Sequence, residues 1–174
     1  MLLRSKYRIR RASRGDIHVL PKVERAAGSR FAPYGLAETF AAIHTAVEQL
    51  EERQTHGRLW VAADREDRPV GFAAASILDG YGHLDELDVL PRHGRAGLGS
   101  RLLDRVCEWA SKNACSGVTL STMQDIPWNA PFYQRRGFRI VATEDLSEGL
   151  IRLKKAEATA GLPMDRRVIM RREF

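Results

Sequence analysis

Two short segments of this chain combine residue types that could bind an anion and move a proton. The first, 94–100 (GRAGLGS), follows an apolar run ending at Pro91 and opens a helical pattern. Backbone N–H groups at a helix N-terminus point outward and bind anions such as phosphates. The second, 129–138 (NAPFYQRRGF), places Tyr133 four residues after Asn129, so on a helix both side chains face one side. This pair could contact one bound ligand, and a phenol, whose ordinary pKa is about 10, can protonate a leaving group.

Three carboxylates lie in the strand predicted over 83–90, directly before the first segment. Strand alternation puts Glu86 and Asp88 on one face and Leu87 and Val89 on the other. A carboxylate at the border of a cleft is desolvated and crowded by like charge, which raises its pKa and suits it to take a proton from an ammonium group. The alternative is that these side chains cap backbone groups or pair with arginines.

Other chemistries fit the sequence poorly. A Rossmann fingerprint requires a further glycine where this chain has Leu102, and a P-loop requires Gly-Lys-Ser/Thr where it has Gly99-Ser100-Arg101. A simple tight turn or close helix–strand packing at Gly97 and Gly99 stays open as an alternative. Neither a Gly-x-Ser-x-Gly nor a His-Glu-x-x-His pattern occurs. We therefore expect no metal and no covalent acyl-enzyme.

Hydrophobic periodicity predicts the elements that must position these segments. A capping box at Ser13 and Asp16 starts a first helix, and apolar spacing through Phe40, Ile43, Val47 and Leu50 predicts a second helix. A strand–helix–strand crossover is predicted over 83–121, with its helix over 97–113, and a hairpin turn over 64–69. The predicted strands lie at 7–10, 59–63, 70–75, 83–90, 117–121, 138–143 and 167–171, and a short helix lies at 127–136.

Composition bounds the class of protein. The 174 residues, 44% hydrophobic and 29% charged, are typical of one globular domain, which we place over 1–174. No apolar run reaches the roughly 18 residues of a membrane span, and the N-terminus lacks a secretory h-region, so we expect a cytoplasmic protein without a membrane partner. Cys107 and Cys115 are predicted to be reduced. The net charge of +6 favours anionic partners, but the basic residues are dispersed, so nucleic acid is not expected.

The two segments, in this order and separation, resemble the GNAT N-acetyltransferase superfamily, whose pattern is Gln/Arg-x-x-Gly-x-Gly/Ala at a helix start and a later Asn, Tyr and Gly-Phe. The resemblance implies an α/β fold with a central, twisted, mostly antiparallel mixed sheet flanked by helices. It also implies acetyl-CoA as cosubstrate and, since relatives commonly dimerise, a homodimer. One departure is that Gly94 stands where the family usually has Gln or Arg, so any charged contact there would come from Arg95.

The resemblance also implies roles for individual residues. Glu86 is the expected general base, with His83 and Asp88 as weaker candidates, and Tyr133 is the expected general acid toward the departing thiolate. Leu87 and Val89 would contact the acetyl and pantetheine portions through backbone groups, and Asn129 would contact coenzyme A. Residues that would hold the pyrophosphate through their amides are Arg95, Ala96, Gly97, Leu98, Gly99 and Ser100.

The acceptor is predicted to be the primary amine of a small molecule. Protein N-terminal or lysine acetylation is the alternative. It is less favoured because related protein acetylases carry a glutamate on the strand after the helix predicted here over 97–113, and 117–121 has none. A non-catalytic acetyl-CoA-binding regulatory module is a third possibility, against which Glu86 and Tyr133 argue. Residues expected to line the acceptor pocket are Glu24, Phe31, Tyr34 and Asp125.

Overall fold

The computed structural model describes residues 6–174, which form a mixed α/β fold. Seven strands share one sheet in the hydrogen-bonded order β1-β2-β3-β4-β5-β7-β6. The strands are β1 (Arg8–Arg11), β2 (Leu59–Ala63), β3 (Pro69–Leu78), β4 (Tyr81–Val89), β5 (Gly117–Met123), β6 (Arg139–Ile140) and β7 (Arg167–Glu173). The helices are α1 (Leu20–Gly28), α2 (Ala37–Ala42), α3 (Val47–Thr55), α4 (Leu98–Lys112), α5 (Ala130–Gln134) and α6 (Glu148–Thr159).

The pairing of the strands confirms the predicted mixed sheet. β1 and β3 both pair antiparallel with β2, and β6 and β5 both pair antiparallel with β7. β4 and β5 are parallel, as the predicted crossover through α4 requires. The chain divides into two compact units. The first contains residues up to Ala75 together with Glu86–Val106, and the second contains Ser76–Asp85 together with Cys107–Phe174. A single domain over 1–174 stays a prediction.

The first unit begins with the predicted capping box. The Asp16 carboxylate accepts hydrogen bonds from the Ser13 amide at 2.7 Å and from Arg10 at 2.6 Å. The helix that follows starts as a 3-10 turn and becomes α1 at Leu20, with Pro21 in its first turn, where a missing N–H costs nothing. Leu20, Leu50 and Phe72 are completely buried and form the centre of this unit's core.

The predicted second helix is interrupted. Residues 43–46 leave the helical conformation between α2 and α3, and Ile43 is extended. Thr45 donates its backbone N–H and its hydroxyl to the Glu24 carboxylate, at 2.9 and 3.1 Å. This contact with α1 satisfies the Thr45 backbone group that an unbroken helix would use internally, so tertiary bonding overrides the apolar periodicity.

The second unit contains the remaining strands and α6. Ser147 accepts the Leu150 amide as N-cap of α6. The strand predicted over 138–143 is only two residues long, although Val141 still donates to the Ile169 carbonyl at 2.9 Å. Cys107 and Cys115 are buried thiols that form no disulfide within 6–174, as predicted. Across these same residues, no helix is long and apolar enough to cross a membrane.

Candidate active site

The segment after β4 is an exposed loop built to present backbone N–H groups. His93 and Gly94 close a 3-10 turn by donating to the carbonyls of Leu90 and Pro91, at 2.8 and 3.1 Å. The backbone then becomes left-handed at Arg95 (φ 59°) and at Gly97 (φ 70°) before α4 begins. Left-handed residues in a loop let successive backbone N–H groups form a concave surface that can bind an anion.

The amides of this loop remain available to a ligand. Within 6–174, no protein oxygen accepts a hydrogen bond from the N–H groups of Arg95, Ala96, Gly97, Leu98 or Gly99. The first internal bond of α4 runs from the Arg101 amide to the Gly97 carbonyl. The Leu98 side chain is buried and fixes the start of α4 in the core. The loop therefore presents N–H groups without an acceptor next to a helix start that is fixed in the core, as an anion-binding site requires. Residues 94–100 form this anion cradle.

Basic side chains surround the cradle. Burial, and next the positive charge of Arg95, lower the pKa of Arg30. Arg30 lies in the 3-10 segment Ser29–Tyr34 that follows α1. On the other side, the Tyr7 hydroxyl lies 2.8 Å from His93 Nδ1, and Arg101 donates to the Tyr7 carbonyl at 3.3 Å. These contacts connect both ends of the loop to Tyr7, the residue directly before β1.

A cluster of three carboxylates lies in the same unit. One carboxylate oxygen each of Glu24, Glu86 and Asp88 lies within 4.8 Å of the other two. The alternation predicted for β4 is thus confirmed for Glu86 and Asp88. Burial, followed by the negative charges of Glu86 and Glu24, raises the pKa of Asp88 well above its ordinary value. Asp88 Oδ2 is inaccessible to solvent and accepts no N–H or hydroxyl group from the part of the chain that the structure describes, whereas a side-chain hydrogen bond with the Glu86 carboxyl also raises the pKa of Asp88.

Glu24 joins the cluster from α1. Burial raises the pKa of Glu24, although the Thr45 hydrogen bonds and the charge of His44 act in the opposite direction. The sequence predicted Glu24 only as a pocket-lining residue, and its contact with the β4 carboxylates was not foreseen. Thr45 was missed entirely, because no local pattern connects a loop residue with a helix residue 21 positions earlier.

The other predicted acceptor residues are distributed over both units. Phe31 lies in the first unit and stacks on Phe40, with ring centroids 4.0 Å apart. Tyr34 ends the same 3-10 segment that contains Arg30. Asp125 lies in the second unit and pairs with Arg166 at 2.8 Å, half-exposed. Asp125 is therefore already engaged by the protein.

Tyr133 and Asn129 lie together in the second unit. Tyr133 is buried on α5, and its ring packs edge-on against Phe132 and Phe138, with centroids 5.0 and 5.7 Å apart. The side-chain oxygen of Asn129 accepts a hydrogen bond from the Met123 backbone amide at 3.3 Å. The backbone carbonyl of Asn129 accepts one from the Tyr133 amide at 3.1 Å. Asn129 thus fixes α5 to the end of β5, a role that the sequence did not predict.

His83 lies inside the sheet of the second unit. It is buried in the second unit, and its Nδ1 lies 2.9 Å from the Thr119 hydroxyl on the parallel neighbouring strand. This contact satisfies one ring nitrogen inside the sheet. The weaker expectation that His83 serves as a base receives no support from this arrangement.

Comparison with known proteins identifies the family. A family model for the GNAT acetyltransferase family matches residues 26–138, which contain the loop over 94–100, the two β4 carboxylates and α5. The chain belongs to the GNAT acetyltransferase family. Among GNAT relatives, the uncharacterized N-acetyltransferase YjcF of Bacillus subtilis strain 168 is 29% identical over 100 residues, which cover 58% of this chain and 69% of YjcF.

Solved GNAT structures share the fold. A GNAT acetyltransferase from Staphylococcus aureus Mu50 superposes with a TM-score of 0.73 at 18% identity, covering 96% of this chain and 98% of that chain. N-acetylglutamate synthase from Neisseria gonorrhoeae, complexed with coenzyme A and N-acetylglutamate, gives a TM-score of 0.72 at 21% identity. The match covers 96% of this chain but only 35% of the synthase. These likenesses confirm the predicted mixed, mostly antiparallel sheet.

Proposed function

We propose that this GNAT acetyltransferase transfers the acetyl group of acetyl-CoA to a primary amine of a small molecule by direct attack. The observation that carries the proposal is the cradle, since orphan amides and flanking arginines suit a pyrophosphate. The Neisseria synthase, part of which shares this fold, was solved with coenzyme A, which supports this cosubstrate. In the cradle, the amides from Arg95 to Ser100 hold the pyrophosphate.

Each chemical step has a candidate group. The amine nitrogen attacks the thioester carbonyl, Glu86 accepts the proton that the amine loses, and the carbon–sulfur bond breaks. Tyr133 protonates the departing thiolate, and a backbone N–H near Val89 stabilises the developing oxyanion. Leu87 and Val89 contact the acetyl and pantetheine portions through their backbones, and Asn129 contacts coenzyme A. Holding both reactants in place converts a bimolecular encounter into a local reaction, and that supplies most of the acceleration.

Support for a small acceptor comes from β5 and from the acid cluster. β5 (GVTLSTM) contains no glutamate, whereas protein acetylases of this superfamily resemble one another in carrying a glutamate on this strand. The half-buried carboxylates of β4, which lie close together, suit a compact ammonium group better than a bulky peptide terminus. The Neisseria synthase, which this chain matches over 35% of the synthase's length, was solved with N-acetylglutamate, a small acetylated amine. Phe31 and Tyr34 are proposed to line the acceptor pocket.

The test measures thiol release from acetyl-CoA across a panel of amines. Tyr133→Phe removes only the phenolic hydroxyl, so we expect turnover to fall roughly 10²-fold or more while acetyl-CoA binding, measured by calorimetry, changes little. Tyr81→Phe is the matched control, because its hydroxyl contacts Glu173 rather than the proposed site. Unchanged turnover in Tyr133→Phe would remove the general-acid assignment. If acetyl-CoA binds but no amine of the panel causes thiol release from it, a regulatory module would be favoured.

A further inference from the structure

The last residue of β5 lies beyond the part of that strand that pairs with β4. The parallel register of the two strands joins residues 82–84 to residues 118–120, and Met123 lies further along β5. The next residue, Gln124, donates its N–H to the Arg166 carbonyl at 2.8 Å, on the side of β7. Successive N–H groups of a strand point to opposite sides, so the Met123 N–H points to the side on which β4 pairs with residues 118–120.

Asn129 supplies the acceptor that the Met123 N–H requires at this place. Met123 is completely buried, and a buried N–H without a partner is costly. The side-chain oxygen of Asn129 accepts this N–H at 3.3 Å. An amide oxygen here takes the place of the backbone carbonyl of a neighbouring strand. The bond therefore fixes the start of α5 against the end of β5.

The same residue begins the helix that carries Tyr133. The backbone carbonyl of Asn129 accepts the amides of Phe132 and Tyr133, at 2.9 and 3.1 Å. α5 is only five residues long, and so short a helix depends on contacts with its surroundings for its position. A single residue thus connects the last amide of β5 with the backbone of Tyr133. A movement of the Asn129 side chain is therefore passed on to Tyr133.

We propose that Asn129 is a positioning residue for Tyr133. Its side-chain oxygen, by accepting the Met123 N–H, holds α5 where the Tyr133 hydroxyl gives its proton to the departing thiolate sulfur. The phenolate then regains a proton from solvent. This inference rests on the proposed function. It goes beyond a contact with coenzyme A, because it assigns the role to the oxygen of the Asn129 amide rather than to its NH2 group.

The two possible roles of Asn129 change different kinetic parameters. A displaced general acid lowers kcat, because the acid acts in the transition state. A lost contact with coenzyme A that is equally strong in the bound substrate and in the transition state raises KM for acetyl-CoA instead. The positioning role is therefore measured in kcat.

Substitutions at Asn129 separate the oxygen from the NH2 group. Asn129→Ala removes the acceptor, and we expect kcat to fall roughly tenfold to a hundredfold, since small misplacements in an active site have effects of this size. Asn129→Asp keeps an oxygen for the Met123 N–H but lacks the NH2 group, so its kcat should stay within about threefold of the wild-type value. Asn113→Ala is the matched control, because that side chain donates to the Trp109 carbonyl at the end of α4, and kcat should not change.

A double-mutant cycle tests whether Asn129 acts through the Tyr133 hydroxyl. In the Tyr133→Phe background this hydroxyl is absent, so Asn129→Ala should lower kcat by less than about twofold. A merely structural role would lower kcat equally in both backgrounds. Should Asn129→Ala not fold, Asn129→Asp alone carries the test, and a kcat about tenfold or more below the wild-type value contradicts the inference.

The outcomes distinguish this inference from the proposed function. Unchanged kcat in Asn129→Ala, an equal fall in both backgrounds, or a fall in Asn129→Asp as large as in Asn129→Ala overturns the inference and leaves acetyl transfer standing. Wild-type turnover in Tyr133→Phe overturns the general-acid assignment and this inference together. Absence of thiol release by the wild-type protein with every amine of the panel overturns the proposed function.

Discussion

Replacing Asp88 with asparagine should change how the stability of this protein depends on pH. Burial, and the charges of Glu86 and Glu24, raise the pKa of Asp88 in the folded state. In the unfolded chain an aspartate has a pKa of about 3.9. Between these two pKa values the folded state binds more protons than the unfolded state. The free energy of unfolding of the wild-type protein therefore falls as pH rises through this window.

The size of the effect follows from proton linkage. One extra proton in the folded state gives a slope of up to about 1.4 kcal/mol of unfolding free energy per pH unit. Asparagine resembles the protonated carboxyl and does not titrate, so Asp88→Asn lacks this slope. The substitution also removes a negative charge near Glu24 and Glu86, and this further raises the free energy of unfolding of the variant relative to the wild type. The variant should equal or exceed the wild type in stability near neutral pH, with an advantage that grows from about pH 4 upward.

Urea denaturation between pH 3 and 8 measures the difference between wild type and variant. Asp16→Asn is a control of opposite sign. Burial alone would raise the pKa of Asp16, but hydrogen bonds from Arg10 and Ser13 prevail and lower it. Asp16 thus contributes stability above its unfolded pKa, and that contribution is lost as pH falls through the folded pKa. A difference between wild type and Asp88→Asn that does not vary with pH would refute the reasoning.

Two further predictions concern glycines. Gly97→Ala adds a Cβ in open space but at φ 70°, so it should cost about 1–2 kcal/mol or shift the loop, and it should weaken acetyl-CoA binding in calorimetry. Gly80→Ala, at φ 81° with equal space, should cost similar stability and leave binding intact. Gly71→Ala places a Cβ 2.7 Å from the Asp88 carbonyl oxygen and should destabilise the protein by about 1–3 kcal/mol in urea denaturation. Wild-type stability in Gly71→Ala would show that β3 and β4 separate freely there.

Local patterns predicted the parts of the site that lie on single elements. The period of two in β4 placed Glu86 beside Asp88, and the glycine spacing after Pro91 predicted the exposed amides. Both features depend on backbone geometry within a few residues, which sequence encodes directly. Ser13 and Asp16 formed the expected capping box for the same reason.

Contacts between distant elements were not predictable in this way. The apolar spacing through Ile43 fits a helix, yet Thr45 bonds to Glu24 and breaks it. Nothing near Asn129 indicated that its side-chain oxygen would accept the Met123 amide. Periodicity reports which face of an element is apolar, but it does not report which partner competes for a backbone group.

The first unit contains one negatively charged and one positively charged group of side chains, and a short stretch of chain connects them. Asp88 belongs to the acid cluster and Arg95 to the basic cradle, and only six residues lie between them. The chain beginning at α1 has the same order of charges. Glu24 lies with the β4 carboxylates, and Arg30, further along, is affected by the charge of Arg95. An anionic thioester and a cationic amine would each meet its complementary charge, and each would be repelled by the other part. If the proposed site is correct, this opposition orients both reactants, so charge reversal at Glu24 should weaken use of the amine while the loop over 94–100 still binds its anion.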